Sequence, residues 1–399
     1  MGVTNIGMVI NQLIVLVNSI FIGIAVARHL GSVEFYELAK ITSFFMLASV
    51  LFRFGFEYRV LAYFKSDEYS KFISLPKKIL LSSFFLSSLC LCSLVMFGPS
   101  MLVFALAVLP CALIPVLNTA FAVNKKSNTS AMFCIPLTIT AAAARIIAIK
   151  MGYGLNVFLS LFVAEIVLSC ILMIIATYIV EKRQELSVVT LPNISILFWP
   201  AVLTFLSLLS LKIPLFLGEY ILVESELGSY AIALRVFESI IIIVSTLTTS
   251  RFFKFTGILD NKPDFFFVRE ARVISLALLI IYFLVLLIPL SVYFLVLGTQ
   301  YEAAINSIKV LAIILPFQFT WNMADKVLLT SNIKLVVLRQ VVLVITISIL
   351  FFTLGLLVSL NSFFLCIILV FAYLFSYILL DFLLPQLWPT RNFKLKLIS

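Results

Sequence analysis

Residues 155–180 read LNVFLSLFVAEIVLSCILMIIATYIV, and Glu181, Lys182 and Arg183 follow at once. This stretch carries a single charge, Glu165, and is longer than the ~18 apolar residues that mark a bilayer-spanning helix. A basic pair directly after the last apolar residue marks a cytoplasmic end. The pattern recurs along the whole chain. Of 399 residues, 63% are hydrophobic and only 12% are charged, against roughly 25% charge in a soluble domain. Too little polar surface remains to coat a water-soluble globule. The composition excludes a soluble enzyme, a nucleic-acid binder and a secreted disulfide scaffold. The net charge of +10 is then read as basic cytoplasmic loops, not as a nucleic-acid surface. Cys90, Cys92, Cys111, Cys134, Cys170 and Cys366 all lie in apolar stretches without metal or redox spacing, and read as small packing residues.

The expected fold is all-α, a polytopic membrane protein of about twelve transmembrane helices. The spans fall near 5–27, 39–62, 79–98, 101–123, 131–149 and 155–180, then 195–217, 228–250, 273–297, 304–330, 336–358 and 361–384. Basic residues test the count. Nineteen Lys and Arg, including Lys71, Lys126, Arg183, Lys262 and Arg391, fall in the connectors after even-numbered spans and in the tail, against Arg28, Lys40, Lys150 and Lys309 on the other side. Such a split requires an even number of spans with both termini inside. The expected location is the bacterial inner (cytoplasmic) membrane, multi-pass, with both termini cytoplasmic. No basic region precedes the first apolar stretch, so the first helix is expected to be retained rather than cleaved.

Two six-helix halves, 1–185 and 186–399, are expected. Leu30-Gly31-Ser32 precedes the second span and Leu227-Gly228-Ser229 precedes the eighth, each followed by an aromatic and then a base (Tyr36 and Lys40; Tyr230 and Arg235). Parallel repeats of this kind build many transporters. The outer connectors are the shortest in the chain. A membrane polymerase or glycosyltransferase usually needs a sizeable outer loop for its sugar chemistry.

The inventory for catalysis is poor. His29 is the single histidine, at the outer end of the first span, and reads as a solvated or capping residue. No His-Asp pair, Asp-x-Asp or Gly-rich phosphate loop is present. The chain is not expected to be an enzyme, and no metal or cofactor is expected. Charges within spans are more informative, since each costs at least ~2.5 kcal/mol at the bilayer centre and faces a wet cavity or a partner. Arg53, Arg145, Lys212 and Arg235 are the candidate anion-binding residues; Glu165, Glu238 and Asp325 are the candidate coupling residues. Lys326, Arg339 and Asp381, near span ends, are expected to snorkel to the headgroups. Arg235 and Glu238 lie one helical turn apart and could neutralise each other. Asn11 and Asn18 share a face of the first span, either bonding across helices or lining a cavity. Prolines at 110, 115, 200, 214, 289 and 316 interrupt several spans.

Three stretches carry a resemblance. The first is Ala27-Arg28-His29-Leu30-Gly31 through Phe35-Tyr36, with a helix closing at Phe54-Gly55-Phe56-Glu57. The second runs from Leu211-Lys212-Ile213 through Leu217-Gly218 and Leu227-Gly228-Ser229-Tyr230 to Arg235 and Glu238; the third is Gly298-Thr299-Gln300-Tyr301 before Ala303-Ala304. Together the chain resembles the O-antigen flippase branch of the polysaccharide transporter family, in the superfamily of the multidrug MATE exporters. The resemblance implies a MATE-like architecture. It also implies a flippase that moves an undecaprenyl-pyrophosphate-linked oligosaccharide from the cytoplasmic to the periplasmic leaflet in O-antigen and lipopolysaccharide biosynthesis. Its partners would be membrane lipid and the polymerase and chain-length regulator of the same pathway. One departure stands out: many relatives carry an Asp shortly after the base of the seventh span, and here that place is Pro214. A cationic-drug exporter and a membrane polymerase of the same pathway are the alternatives.

Overall fold

The computed structural model describes residues 6–53, 127–181, 194–256, 286–318, 333–357 and 361–383, with further helical residues between 108 and 121 and between 275 and 283. Among these residues all regular structure is helical. Helix α1 (Ile6–Val17) passes through a π-helical turn (Asn18–Ile22) into α2 (Gly23–Arg53). Helices α3 (Ser127–Lys150) and α4 (Leu155–Glu181) form a hairpin. Helix α5 (Ile194–Leu217) ends in a 3-10 turn (Gly218–Tyr220) before α6 (Glu224–Thr256). Helix α7 (Leu290–Leu297) leads through a second 3-10 turn (Thr299–Tyr301) into α8 (Glu302–Leu311), and α9 (Ile333–Leu357) and α10 (Ser362–Leu383) follow.

In lipid no water satisfies a free backbone amide, so an apolar run of this length must close its own hydrogen bonds as helix. Five described stretches are long and apolar enough to cross a bilayer: Leu13–Val50, Ala131–Lys150, Leu155–Thr177, Phe198–Tyr220 and Val336–Gly355. Their outward faces carry large apolar side chains such as Phe44, Met132, Leu168 and Phe352, which suit contact with acyl chains. This is a multi-pass membrane protein.

The first two expected spans meet differently from the sequence reading. No ten-residue connector separates them. Both helical segments run up to Gly31, whose φ of 80° and ψ of 175° make the bend in one residue. Only glycine occupies that region without strain. The ninth expected span also breaks: residues 287–289 form a turn at Pro289, and α7 starts afresh. A proline cannot supply the amide that a continuing helix needs. The tenth is interrupted at 312–313, ahead of Pro316, whereas Pro136, Pro200 and Pro214 sit within α3 and α5 without ending them.

Helices α5, α6, α8, α9 and α10 pack on one another, and α3 packs on α4 and on α1. Helix α2 joins the two groups by packing on α5 and α6. The largest core lies there, around Leu215, Tyr230, Tyr301, Phe351 and Leu365. Several turns share one face of the molecule. His29 Nε2 lies 2.8 Å from the Tyr153 carbonyl, Gly228 lies against Ser32, and Glu226 accepts the Ser362 amide at 3.0 Å. Arg28, Lys40 and Lys150 lie toward this face, which is the one expected outside from the sequence. Spans three and four lie mostly outside the described residues, as do Cys90, Cys92 and Phe54-Gly55-Phe56-Glu57.

Candidate functional site

Two buried ion pairs bring the interior charges together. Arg145 on α3 pairs with Glu165 on α4, with side chains 16% and 21% exposed. Lys212 on α5 pairs with Glu238 on α6, at 5% and 18%. Arg235 lies on α6 one turn before Glu238, about 17 Å along the helix from Glu224 and so roughly midway through a ~30 Å hydrocarbon core. It is half-buried. A side chain at Gly23 of α2 would touch its Cγ and Nε at 3.9 Å, so Arg235 fills the gap that this glycine leaves. Arg235 also senses the charges of Glu238, Arg145 and Glu165. The five residues therefore form one electrostatic cluster spanning α3, α4, α5 and α6.

The charge count of this cluster matters. Arg145, Lys212 and Arg235 contribute three positive charges, and Glu165 and Glu238 two negative ones. Among the described residues no carboxylate is in ion-pair contact with Arg235. The suggested Arg235–Glu238 pair is thus replaced by Lys212–Glu238, and one positive charge is left over. An uncompensated charge in a low-dielectric interior is costly unless an anion offsets it.

The π-helical turn sits beside this cluster, packed on both α3 and α6. Such bulges widen a helix by one residue and recur at functional positions. Ser239 Oγ meets Ser19 Oγ at 2.8 Å. The side-chain oxygen of Asn18 is buried with no hydrogen-bond partner among the described residues. Arg339 was expected to snorkel; instead it is 4% exposed, near Tyr373. Tyr373 in turn meets Ser210 Oγ at 3.4 Å. Leu203 of α5 packs with Val336 and Val337 of α9, and the place of Arg339 near the start of α9 does not reveal its burial. Asp325 and Lys326 lie outside the described residues, and so do the side chains of Arg53, Asp381 and Asn11. Cys111, Cys134, Cys170 and Cys366 form no disulfide among the described residues. Among the described residues no group of His, Cys, Asp or Glu converges as a metal site.

Three stretches singled out in the sequence converge at the turn face, away from the charge cluster. The Ala27 carbonyl lies in the last turn before the bend at Gly31, and the buried Tyr301 hydroxyl donates to it at 2.8 Å. The Leu215 carbonyl, in the last turn of α5, accepts from the Tyr36 hydroxyl at 3.2 Å. Arg28 reaches the Leu295 carbonyl at 3.4 Å, and Lys40 pairs with Glu219. The two Leu-Gly-Ser tripeptides do not share a conformation. Gly31 bends, whereas Gly228 is within α6, and a Cβ on Gly228 would overlap the backbone of Ser32.

This architecture has counterparts among solved structures. An inward-facing multidrug resistance MATE family transporter of the MOP superfamily matches with a TM-score of 0.62 at 15% identity, over 97% of each chain. The fold is that of a MATE-type transporter. The lipid II flippase MurJ in an inward closed conformation matches at 0.54 and 12% identity, over 96% of this chain and 87% of that one. A MATE protein in complex with MaL6 matches at 0.54 and 14% identity, over 96% and 95%. No protein-family model and no curated protein sequence matches the chain. Within the MATE-type fold, the cluster of Arg145, Glu165, Lys212, Arg235 and Glu238 lies where α6 meets α1 and α2.

Proposed function

We propose that this protein is a flippase for an undecaprenyl-pyrophosphate-linked oligosaccharide, an O-antigen or related repeat unit, carried from the cytoplasmic to the periplasmic leaflet by alternating access. The observation that carries this reading is the surplus positive charge at Arg235. A diphosphate diester bears a negative charge on each phosphorus, and an arginine fork binds phosphate oxygens in pairs. Arg145 and Lys212, each held by its own carboxylate, set the surrounding potential. Two halves, 1–185 and 186–399, would rock about the cluster while the lipid tail stays in the bilayer. Glu165 and Glu238 are the groups whose release from their cations would couple an ion or proton to the cycle. A flippase among the structural neighbours supports the class of reaction, though not the saccharide. The protein would act in the inner membrane with both termini cytoplasmic, beside the polymerase and chain-length regulator, without enzymatic chemistry of its own.

A cationic-drug exporter is the competing reading, since MATE-type neighbours include multidrug transporters. A site for cations should carry net negative charge; this cluster carries a surplus positive one. Expression in a strain lacking its own O-antigen flippase separates the readings. Restored surface polysaccharide, lost again in Arg235→Ala at unchanged membrane abundance, is the expected result. Cationic-dye efflux without any restored polysaccharide would reverse the assignment.

A further inference from the structure

We infer that the convergence of Ala27–Lys40 with Leu215–Gly228 and Leu295–Tyr301 is a releasable outer latch, and that the structure is the state closed on that side. This rests on the flippase reading for its direction of transport, but not for its geometry. Every contact in the group joins α2 to an element of the C-terminal helices. The Tyr301 hydroxyl holds the Ala27 carbonyl, the Tyr36 hydroxyl holds the Leu215 carbonyl, and Arg28 holds the Leu295 carbonyl. At the centre, Gly228 has no side chain and lies directly against the backbone of Ser32. No substrate passes between two backbones in that contact.

The parts differ in how readily they yield. Tyr36 and Tyr301 are buried and lie within the largest core. Lys40 and Glu219 are 34% and 46% exposed. A half-exposed pair is weak and sensitive to its surroundings, which suits the contact that breaks first. The three accepting carbonyls lie near helix ends, in a last helical turn or beside a bend or turn. Once released, they find water at the open face rather than lipid. The closing contacts thus combine hydrogen bonds that water can replace with the apolar packing of Ile24, Ala27 and Phe35 in one buried cluster with Leu227 and Tyr230.

The test uses the full-length protein in membranes. In Lys40→Cys/Glu219→Cys, a short bifunctional methanethiosulfonate should bridge the two thiols. Surface polysaccharide should then fall to the level of cells lacking the protein and return on reduction, with each single-cysteine variant unaffected by the reagent. Transport that persists in fully bridged protein would overturn the latch. A second arm needs no transport. Labelling of Ser32→Cys by an impermeant maleimide in intact cells should rise several-fold when Lys40→Glu is added, and return to its starting value with Lys40→Glu/Glu219→Lys. Labelling indifferent to charge reversal would overturn the latch whatever the cargo. Failure of the unmodified protein to restore polysaccharide, with the labelling pattern intact, would instead overturn the choice of cargo.

Discussion

Removing Lys212 should cost stability before it costs function. Its ammonium is almost entirely buried and rests on Glu238, itself mostly buried. Lys212→Met keeps the apolar stem and leaves Glu238 as an uncompensated carboxylate within the helix bundle. Breaking a buried pair from one side typically costs about 3–5 kcal/mol; the partial exposure of Glu238 places this case near ~3 kcal/mol. Removing both charges should cost far less, because the desolvation penalty disappears with them. Lys212→Met/Glu238→Gln is expected to lose about 1 kcal/mol, chiefly for an imperfectly bonded amide, giving a coupling of roughly 2 kcal/mol. The assay is membrane abundance together with the melting temperature of the detergent-solubilised protein for both single variants and the double. The single lysine variant should be the least stable of the set. A double variant no more stable than Lys212→Met would refute the pairing, and so would a Lys212→Met protein that melts with the unmodified one.

Arg235→Ala should behave in the opposite way: with no carboxylate in contact among the described residues, it should keep normal abundance and lose transport, and Arg235→Lys should retain part of it, because the charge survives without the fork. Gly31→Ala forces a side chain into a glycine-only backbone region, which costs about 1–3 kcal/mol and should lower abundance without touching any charge. Tyr301→Phe leaves the Ala27 carbonyl without its donor; a drop of roughly 1–3 kcal/mol in stability should appear as a lower melting temperature. A reporter active only in the periplasm should stay silent when fused after Lys71 or Lys262 and be active near Glu224; activity after Lys71 would undo the assignment of the turn face to the outside.

Helix positions were legible because lipid leaves one solution for a long apolar run. The spans expected at 195–217, 336–358 and 361–384 match α5, α9 and α10 to within a few residues. A break between the first two spans was legible in the charged stretch from Arg28 to Lys40, but its form, a bend at the single residue Gly31, was not. At Pro289 the signal was present but a kink and a break look alike in sequence. The charged cluster was legible as a set of residues but not as a set of pairs. Glu165 and Glu238 were both plausible partners for Lys212, and periodicity alone cannot rank contacts between helices. The Arg145–Glu165 pair had one usable sign: opposite charges on consecutive spans joined by the short turn at 151–154. The motifs at Ala27–Gly31 and Gly298–Tyr301 gave no hint that they touch. Their contact depends on where the bend at Gly31 and the turn at Gly298 place the chain, which appears only once the backbone is built.

Movement of a lipid-linked anion across the bilayer, with Arg235 as its contact, is the claim on which the rest depends. The direct measurement reconstitutes the purified protein in liposomes bearing undecaprenyl-pyrophosphate-linked saccharide in the inner leaflet and follows its appearance at the outer surface with an impermeant lectin or glycosidase. The account predicts transfer by the unmodified protein well above protein-free liposomes, and transfer near background for Arg235→Ala. Equal transfer by both proteins, or none by either while a cationic dye crosses, would contradict it.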